Sequence, residues 1–262
     1  MNNIRISIII PAYNEARHLR ACLKAIADQT VAPSEVIIVD NNSTDQTAKI
    51  AQRYPFVTLI HEPRQGIVFA RNAGFDAARG NIITRIDADT HLPRNWVERV
   101  RSFYQKPENH LRALTGSCEM YNLRSGRAIG YLYSGMAHTV NRLLIGYYCP
   151  WGSNSAIPKG CWLAVRNEVL IRTDIHEDLD LGIALAGRNF QTVYEPSLHV
   201  EVAAKRMIDG HGRLLGHLLM WPRTFRVRHI RTWPLAFGLA IGIWLGSYLL
   251  VASEKILARF SR

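Results

Sequence analysis

Apolar positions along the first ninety residues form short unbroken runs separated by stretches of helical periodicity. Ile6-Ser7-Ile8-Ile9-Ile10 is a β-branched run of the kind buried on both faces of a parallel sheet, and Pro11 is expected to end it. Leu19, Leu23 and Ile26 then recur at helical spacing. Val36-Ile37-Ile38-Val39 reads as a second buried strand closing at Asp40, and Asn41-Asn42-Ser43-Thr44-Asp45 offers capping chemistry for the helix after it. Residues 57–60 predict a third strand, 69–78 a third helix and 82–86 a fourth strand. This alternation predicts an α/β fold, a mostly parallel, Rossmann-like sheet with right-handed crossovers and helices on both faces. Ligands of such sheets bind beyond the carboxyl ends of the strands. Residues 11–15, Asp40 and Asp87-Ala88-Asp89 all leave strands at that edge, so they are expected to converge on one ligand.

The pattern changes near the C-terminus. Residues 235–252 carry no charge, and about 18 helical residues reach roughly 27 Å, close to the hydrocarbon thickness of a bilayer. The expectation is a single transmembrane helix, with a re-entrant or interfacial (monotopic) helix as the alternative. Gly238, Gly242 and Gly246 repeat at four-residue spacing, a pattern suited to close helix packing and hence to homo- or hetero-association. Ahead of this run, Arg213, Arg223, Arg226, Arg228 and Arg231 alternate with Leu214, Leu218, Trp221 and Phe225, which suits an anionic membrane face and places the preceding domain in the cytoplasm. Residues 129–148 predict a helix with polar interruptions at His138, Asn141 and Arg142, packed on the domain or lying at a membrane surface.

Asp87-Ala88-Asp89 is the most pointed chemistry. Two carboxylates one residue apart at a strand end suit a hard cation such as Mg²⁺ or Mn²⁺, which takes oxygen ligands and keeps positions for water or phosphate. Alone, the triplet is equally readable as two solvated carboxylates. It does not stand alone. Ser7 to Glu15, Val39 to Asp45, Gly66 with Ala70-Arg71-Asn72-Ala73-Gly74, and Asp87-Ala88-Asp89 together resemble, in order, the motifs of the family 2 glycosyltransferases, inverting enzymes of the GT-A fold that use nucleotide diphosphate sugars.

The resemblance implies roles for particular residues. Pro11, Ala12, Tyr13, Glu15, Asp40, Asn42, Gly66, Arg71, Asp87 and Ala88 would hold the nucleotide sugar, with Asp40 on the base or ribose and Arg71 neutralising the diphosphate. Asp89 would ligate the metal directly, Asp87 would reach the ribose or the metal's water, and His199 would complete the shell. Inverting transfer also needs a carboxylate to take the acceptor hydroxyl's proton. Asp178 in His176-Glu177-Asp178-Leu179-Asp180 is the candidate base, since family members often place a Glu-Asp pair at a helix start after a Gly-x-x-x-Ala-x-Arg segment, here Gly160 to Arg166. The alternative is that Glu177 and Asp178 merely favour a helix N-terminus. Asp180 reads as a solvated neighbour on the same helix. Glu177 and Trp151 are assigned to the acceptor, Trp151 from an aromatic, glycine-rich loop that would stack on a sugar or lie beside a lipid. The family's Gln-x-x-Arg-Trp sequence is represented only by Trp221-Pro222-Arg223, which points away from processive polymer synthesis.

Composition adds bounds. A chain of 262 residues with 48% hydrophobic content supports one α/β core. The expected division is a GT-A domain over 1–205 (nucleotide-sugar side 1–115, acceptor side 116–205), a basic amphipathic segment 206–234, a membrane-embedded helix 235–253 and a tail 254–262. The net charge of +11 is concentrated partly in the arginine cluster, and with no nucleic-acid motif it does not imply nucleic-acid binding. Cys22, Cys118, Cys149 and Cys161 lack metal-site spacing and read as reduced thiols. The acceptor is expected to be a lipid-linked or cell-envelope glycan, because an anchor implies a membrane-associated substrate. The alternatives are a sugar nucleotidyltransferase, which would be expected to carry a glycine-rich lysine loop not seen near the N-terminus, and a non-catalytic membrane scaffold.

Overall fold

The computed structural model describes residues 4–122, 126–204 and 211–259. Seven strands form one sheet in the order β3-β2-β1-β4-β6-β5-β7. The first four, β1 (Ile6–Ala12), β2 (Glu35–Asp40), β3 (Val57–His61) and β4 (Ile82–Arg85), pair in parallel, as the buried runs predicted. They alternate with α1 (Leu19–Ala27), α2 (Thr47–Ala51) and α3 (Ile67–Ala77), and α4 (Trp96–Tyr104) follows β4.

Pro11 does not end β1. The strand continues through it, with Pro11 opposite Val39 and Ala12 opposite Asp40. Ala12 turns its carbonyl toward β2, accepting from Asn41 N at 2.8 Å, so Pro11 faces the β4 side. Pairing with β4 has already stopped at Ile9, opposite Arg85, so the missing proline N–H removes no ladder bond.

The second half inserts an antiparallel element. β5 (Ala113–Met120) and β7 (Thr192–Val202) are parallel to each other, while β6 (Ser155–Pro158) runs antiparallel between β4 and β5. Ser155 therefore sits beside Arg85, and the chain entering β6, Trp151 to Asn154, arrives at the same edge as the carboxyl end of β4. α5 (Gly126–Ile145) lies on β5, where a Cβ at Gly130 would meet Glu119 Cα at 2.8 Å. α6 (Lys159–Val165) and α7 (Glu177–Gly187) cover the opposite face, and the predicted helix start at Glu177 is observed. Two cores result, one holding Leu19, Leu23, Trp96 and Val100, the other Phe75, Trp162 and Leu185, on either side of the sheet. All four cysteines are free and buried.

The C-terminal expectations are corrected. Among the described residues no helix is long and apolar enough to cross a membrane, and the location built on such a helix is withdrawn with it. α8 (His211–Val227) and α9 (Trp233–Arg259) form a helical pair packed through Leu214, Leu218 and Ala240, with Trp221 and Trp244 against them. The buried positions of the apolar run, Ala236 and Ala240, cluster with Phe225, Leu214 and Leu218 of α8. The basic residues also have partners in the protein: Arg228 Nε donates to Asp180 Oδ1 at 2.6 Å, Arg223 Nη1 to the Asp174 carbonyl at 3.1 Å, and the Arg226 guanidinium lies 5.5 Å from the Trp233 ring centroid. Asp180, expected to be solvated, is fully buried, and it also accepts from Leu170 N at 2.8 Å. The expected boundary at 205/206 and Arg262 of the tail lie outside the described residues.

Candidate active site

The parallel strands release their loops at one edge, over a cavity of about 690 Å³. Pro11, Ala12, Tyr13 and Glu15 line it from β1, and Asp87, Ala88 and Asp89 from β4. Of the other residues assigned to the nucleotide sugar, Asp40, Asn42, Gly66 and Arg71 are not on its wall; their neighbours Asn41, Gln65, Ile67 and Ala70 are. At these four positions a sequence neighbour, and not the expected residue, reaches the wall.

Asn41 explains part of this displacement. Its Nδ2 donates to the carbonyls of Glu62 (2.9 Å) and Arg64 (2.7 Å), and its Oδ1 accepts from Gly66 N at 2.8 Å. One buried amide thus ties the loop after β3 to the end of β2. Gly66 starts α3 at φ +141°, in the region that favours glycine, and a Cβ there would meet Thr173 Cγ2 at 2.6 Å. The loop after β1 is braced similarly: Asn14 Oδ1 accepts from Thr44 N at 2.8 Å, and Thr47 Oγ1 from Glu15 N at 2.8 Å. Asp45 accepts from Ala16 N at 3.1 Å and from Thr47 N at 2.9 Å. Burial opposes its ionisation, but these hydrogen bonds hold it below the usual carboxylate range. Asp40 lies nearly buried, with His61 Nδ1 3.6 Å from its Oδ2.

Arg71 has a different task from the one expected. It is fully buried, and its Nη1 donates to Glu177 Oε2 at 2.8 Å and to the Glu177 carbonyl at 2.5 Å. Glu177, assigned to the acceptor, is buried as well, and its second oxygen accepts from Arg85 Nη1 at 2.5 Å. Arg85 Nη2 in turn donates to Asp87 Oδ1 at 3.1 Å. A chain of alternating charges, Arg71, Glu177, Arg85 and Asp87, therefore runs from α3 through the start of α7 to the acidic edge. Burial works against the Arg85 cation, yet Glu177 and Asp87 raise its pKa further. Sequence reasoning missed Arg85, though a lone arginine in a buried run was the available signal. Gly152 belongs to the same design, since a Cβ there would collide with the Arg85 guanidinium.

Asp178 follows Glu177 and lines a second cavity of about 220 Å³ adjoining the first. Tyr133, Met136, Trp151, His217 and Ile243 line both. Gly152 N donates to Asp178 Oδ2 at 3.1 Å and Leu179 N to Oδ1 at 2.8 Å. Burial pushes its pKa up, but His176, Arg85 and those two amides outweigh burial and hold it below the ordinary aspartate value. His176, preceding the pair, is fixed by Thr224 Oγ1 of α8, which accepts from His176 N at 2.9 Å.

For a divalent cation, the edge offers the two carboxylates of Asp87 and Asp89 on the larger cavity's wall. This all-oxygen pair fits Mg²⁺ or Mn²⁺ held jointly by protein and phosphate. Among the described residues no cluster of three or more His, Cys, Asp or Glu completes a closed cage. His199 is not brought there; it lines neither cavity, and its Nδ1 lies 3.3 Å from the Ser197 carbonyl.

Comparison with known proteins agrees with this layout. Residues 7–144, more than half of the chain, match the family described as Glycosyl transferase family 2. Glycosyltransferase AglE of Haloferax volcanii is 39% identical over 101 residues, covering 36% of this chain and 33% of that protein. Glycosyltransferase GlyG of Streptococcus pneumoniae is 30% identical over 145 residues, covering 53% of this chain and 47% of that protein. These matches span about a third to a half of the relatives' length. Among solved structures, mannosyltransferase PcManGT from Pyrobaculum calidifontis, in complex with GDP-Man and Mn²⁺, is similar with a TM-score of 0.66 at 20% identity, over 100% of this chain and 80% of that one. S. aureus TarS 1-349 in complex with UDP-GlcNAc gives 0.60 at 16% identity, over 81% and 65%. At those identities the likeness concerns the fold.

Proposed function

The chain belongs to glycosyl transferase family 2, and from that premise we propose that it is an inverting glycosyltransferase that takes a nucleotide diphosphate sugar in the larger cavity and an acceptor hydroxyl in the smaller one. One observation carries the reading: the Asp87–Asp89 edge and Asp178 line adjoining cavities that share the Trp151 wall. Asp178, held ionised, takes the proton of the acceptor hydroxyl while that oxygen bonds to the anomeric carbon. The bond from that carbon to the diphosphate breaks on the opposite face, and the nucleoside diphosphate leaves with the electron pair. Asp89 and Asp87 would hold a divalent cation, which would supply charge neutralisation for the diphosphate. Arg85 and Glu177 position Asp87 and Asp178 relative to one another and touch no reacting atom. The mannosyltransferase neighbour holds GDP-Man and Mn²⁺, which supports a sugar donor and a divalent cation here. The apolar lining of the smaller cavity, from Met136, Leu218, Leu239 and Ile243, supports an acceptor with an apolar portion beside its hydroxyl, such as a lipid-linked saccharide.

The test is a screen of UDP-, GDP- and dTDP-sugars for hydrolysis and transfer with Mg²⁺ or Mn²⁺. Asp178→Asn is expected to lower turnover by roughly 10²–10⁴-fold while donor binding persists. Chelation with EDTA and Asp89→Ala are each expected to remove turnover. Failure of every donor to bind would overturn the proposal, and full turnover by Asp178→Asn would overturn the base assignment.

A further inference from the structure

Six buried side-chain polar atoms among the described residues have no hydrogen-bond partner, and three of them belong to residues lining the smaller cavity: His138 Nε2, Asn141 Oδ1 and Trp221 Nε1. Leaving a buried polar atom unpaired is destabilising, so three around one 220 Å³ space need a reason. Their chemistry is specific. His138 is 4% exposed and bonded to the Gly116 backbone. Burial pushes its pKa down to about 4, so the ring is neutral near pH 7. The Gly116 bond favours the protonated ring, so the imidazole donates there and Nε2 is left as a lone-pair acceptor. Asn141 Oδ1 is a second acceptor, and the Trp221 indole N–H is a donor.

We infer that this cavity is a saccharide subsite, in which one sugar ring of the acceptor donates hydroxyls to His138 Nε2 and Asn141 Oδ1, accepts from Trp221 Nε1, and offers a further hydroxyl to Asp178. Two acceptors, one donor and a carboxylate match a polyhydroxylated ring, whose every hydroxyl both donates and accepts. Aromatic rings complete the match: Trp151 lies 5.0 Å from His138 and 5.9 Å from Tyr133, centroid to centroid, giving a face for the apolar side of a pyranose. The volume lies below the roughly 300 Å³ at which pockets for drug-sized ligands begin, so it suits one ring and not a nucleotide. The three atoms are closed off from solvent, so binding requires side chains at the wall to turn. Met136, unbranched and shared by both cavities, is the freest of them.

The inference rests on the proposed transfer only for the role of Asp178, and one experiment separates the two. The full chain is titrated calorimetrically with methyl glycosides of glucose, galactose, mannose and N-acetylglucosamine, and separately with GDP-mannose and UDP-N-acetylglucosamine, as wild type, Asn141→Leu and His138→Phe. At least one glycoside is expected to bind the wild type and to weaken roughly tenfold in each variant, as loss of one hydrogen bond requires. Asn141→Leu is also expected to raise Tm, because it removes an unpaired buried acceptor. A raised Tm with unchanged glycoside affinity would overturn the inference, leaving the three atoms to bound water. Donor binding with no glycoside binding would overturn it while leaving the transferase reading intact. Glycoside binding without donor binding would sustain the subsite and sink the transferase.

Discussion

The edge beyond the parallel strands and the smaller cavity beside it are built on opposite principles. At that edge the loops after β1, β2 and β3 bind one another: Asn41 makes three hydrogen bonds, Asp45 accepts from two backbone amides, and Asn14 binds the neighbouring loop. Those bonds tie the loops to one another without a ligand. Around the smaller cavity, His138, Asn141 and Trp221 each keep a buried polar atom unpaired. Preorganised hydrogen bonds fix where a common ligand class sits, whereas unpaired ones select which molecule completes them. The difference teaches that the two regions should respond differently to perturbation.

The junction between them is the charge chain, and breaking it gives the largest stability effect. Arg85→Met leaves Glu177 buried with only Arg71 and frees Asp87 from its tether. Removing one partner of a buried pair costs roughly 3–5 kcal/mol, which for a chain of this size lowers Tm by roughly 10 °C. Arg64→Ala, which removes the 66%-exposed partner of Glu62, is the contrast, and is expected to move Tm far less because solvent screens an exposed pair. Thermal denaturation of both variants decides it; equal shifts would show that the buried chain is no more than another surface pair.

Acidification distinguishes the regions next. Between about pH 6.5 and about 4, His138 is protonated in the unfolded chain but neutral in the folded one. The unfolded state therefore binds more protons, and stability falls as pH drops through that window, by at most roughly 3 kcal/mol. Asp178, with its pKa lowered, adds stability that is present above the unfolded aspartate value and lost only as pH falls below it, so the two groups act in separate windows. His138→Phe is expected to flatten the pH dependence of Tm between 6.5 and 4, and an unchanged slope would place the burial cost elsewhere.

Legibility in the sequence followed the same division. β1 to β4 were readable because parallel strands buried on both faces leave unbroken apolar runs; the acidic edge followed from β4, and the helix start at Glu177 came through the family resemblance. Arg85 was not readable as a site residue, because its stabilising partner Glu177 is 92 positions away. β6 has only four residues, Ser155–Pro158, and no alternation to reveal that it runs antiparallel. α9 was misread because an apolar stretch looks the same whether its partner is lipid or α8. Arg71, expected at the diphosphate through the family resemblance, lies buried against Glu177, and Gly74 lets α3 lie directly on β1 and β2.

Glycine substitutions make the smallest and sharpest version of the comparison. A Cβ at Gly74 would collide with Ile9 Cγ2 and reach Val39 Cγ2 at 3.0 Å, so Gly74→Ala forces α3 off the sheet beneath the edge beyond the parallel strands. Overpacking of this kind costs roughly 1–3 kcal/mol. Gly238 in α9 meets nothing within 4 Å, and it is exposed. Gly238→Ala there only restores helix propensity, worth about 0.5–1 kcal/mol of added stability. Urea denaturation is expected to move the two variants in opposite directions. If Gly238→Ala destabilised the protein instead, something not present in the isolated chain would be packing on the glycine face of α9, and size-exclusion chromatography of wild type beside the variant would show whether that partner is a second copy.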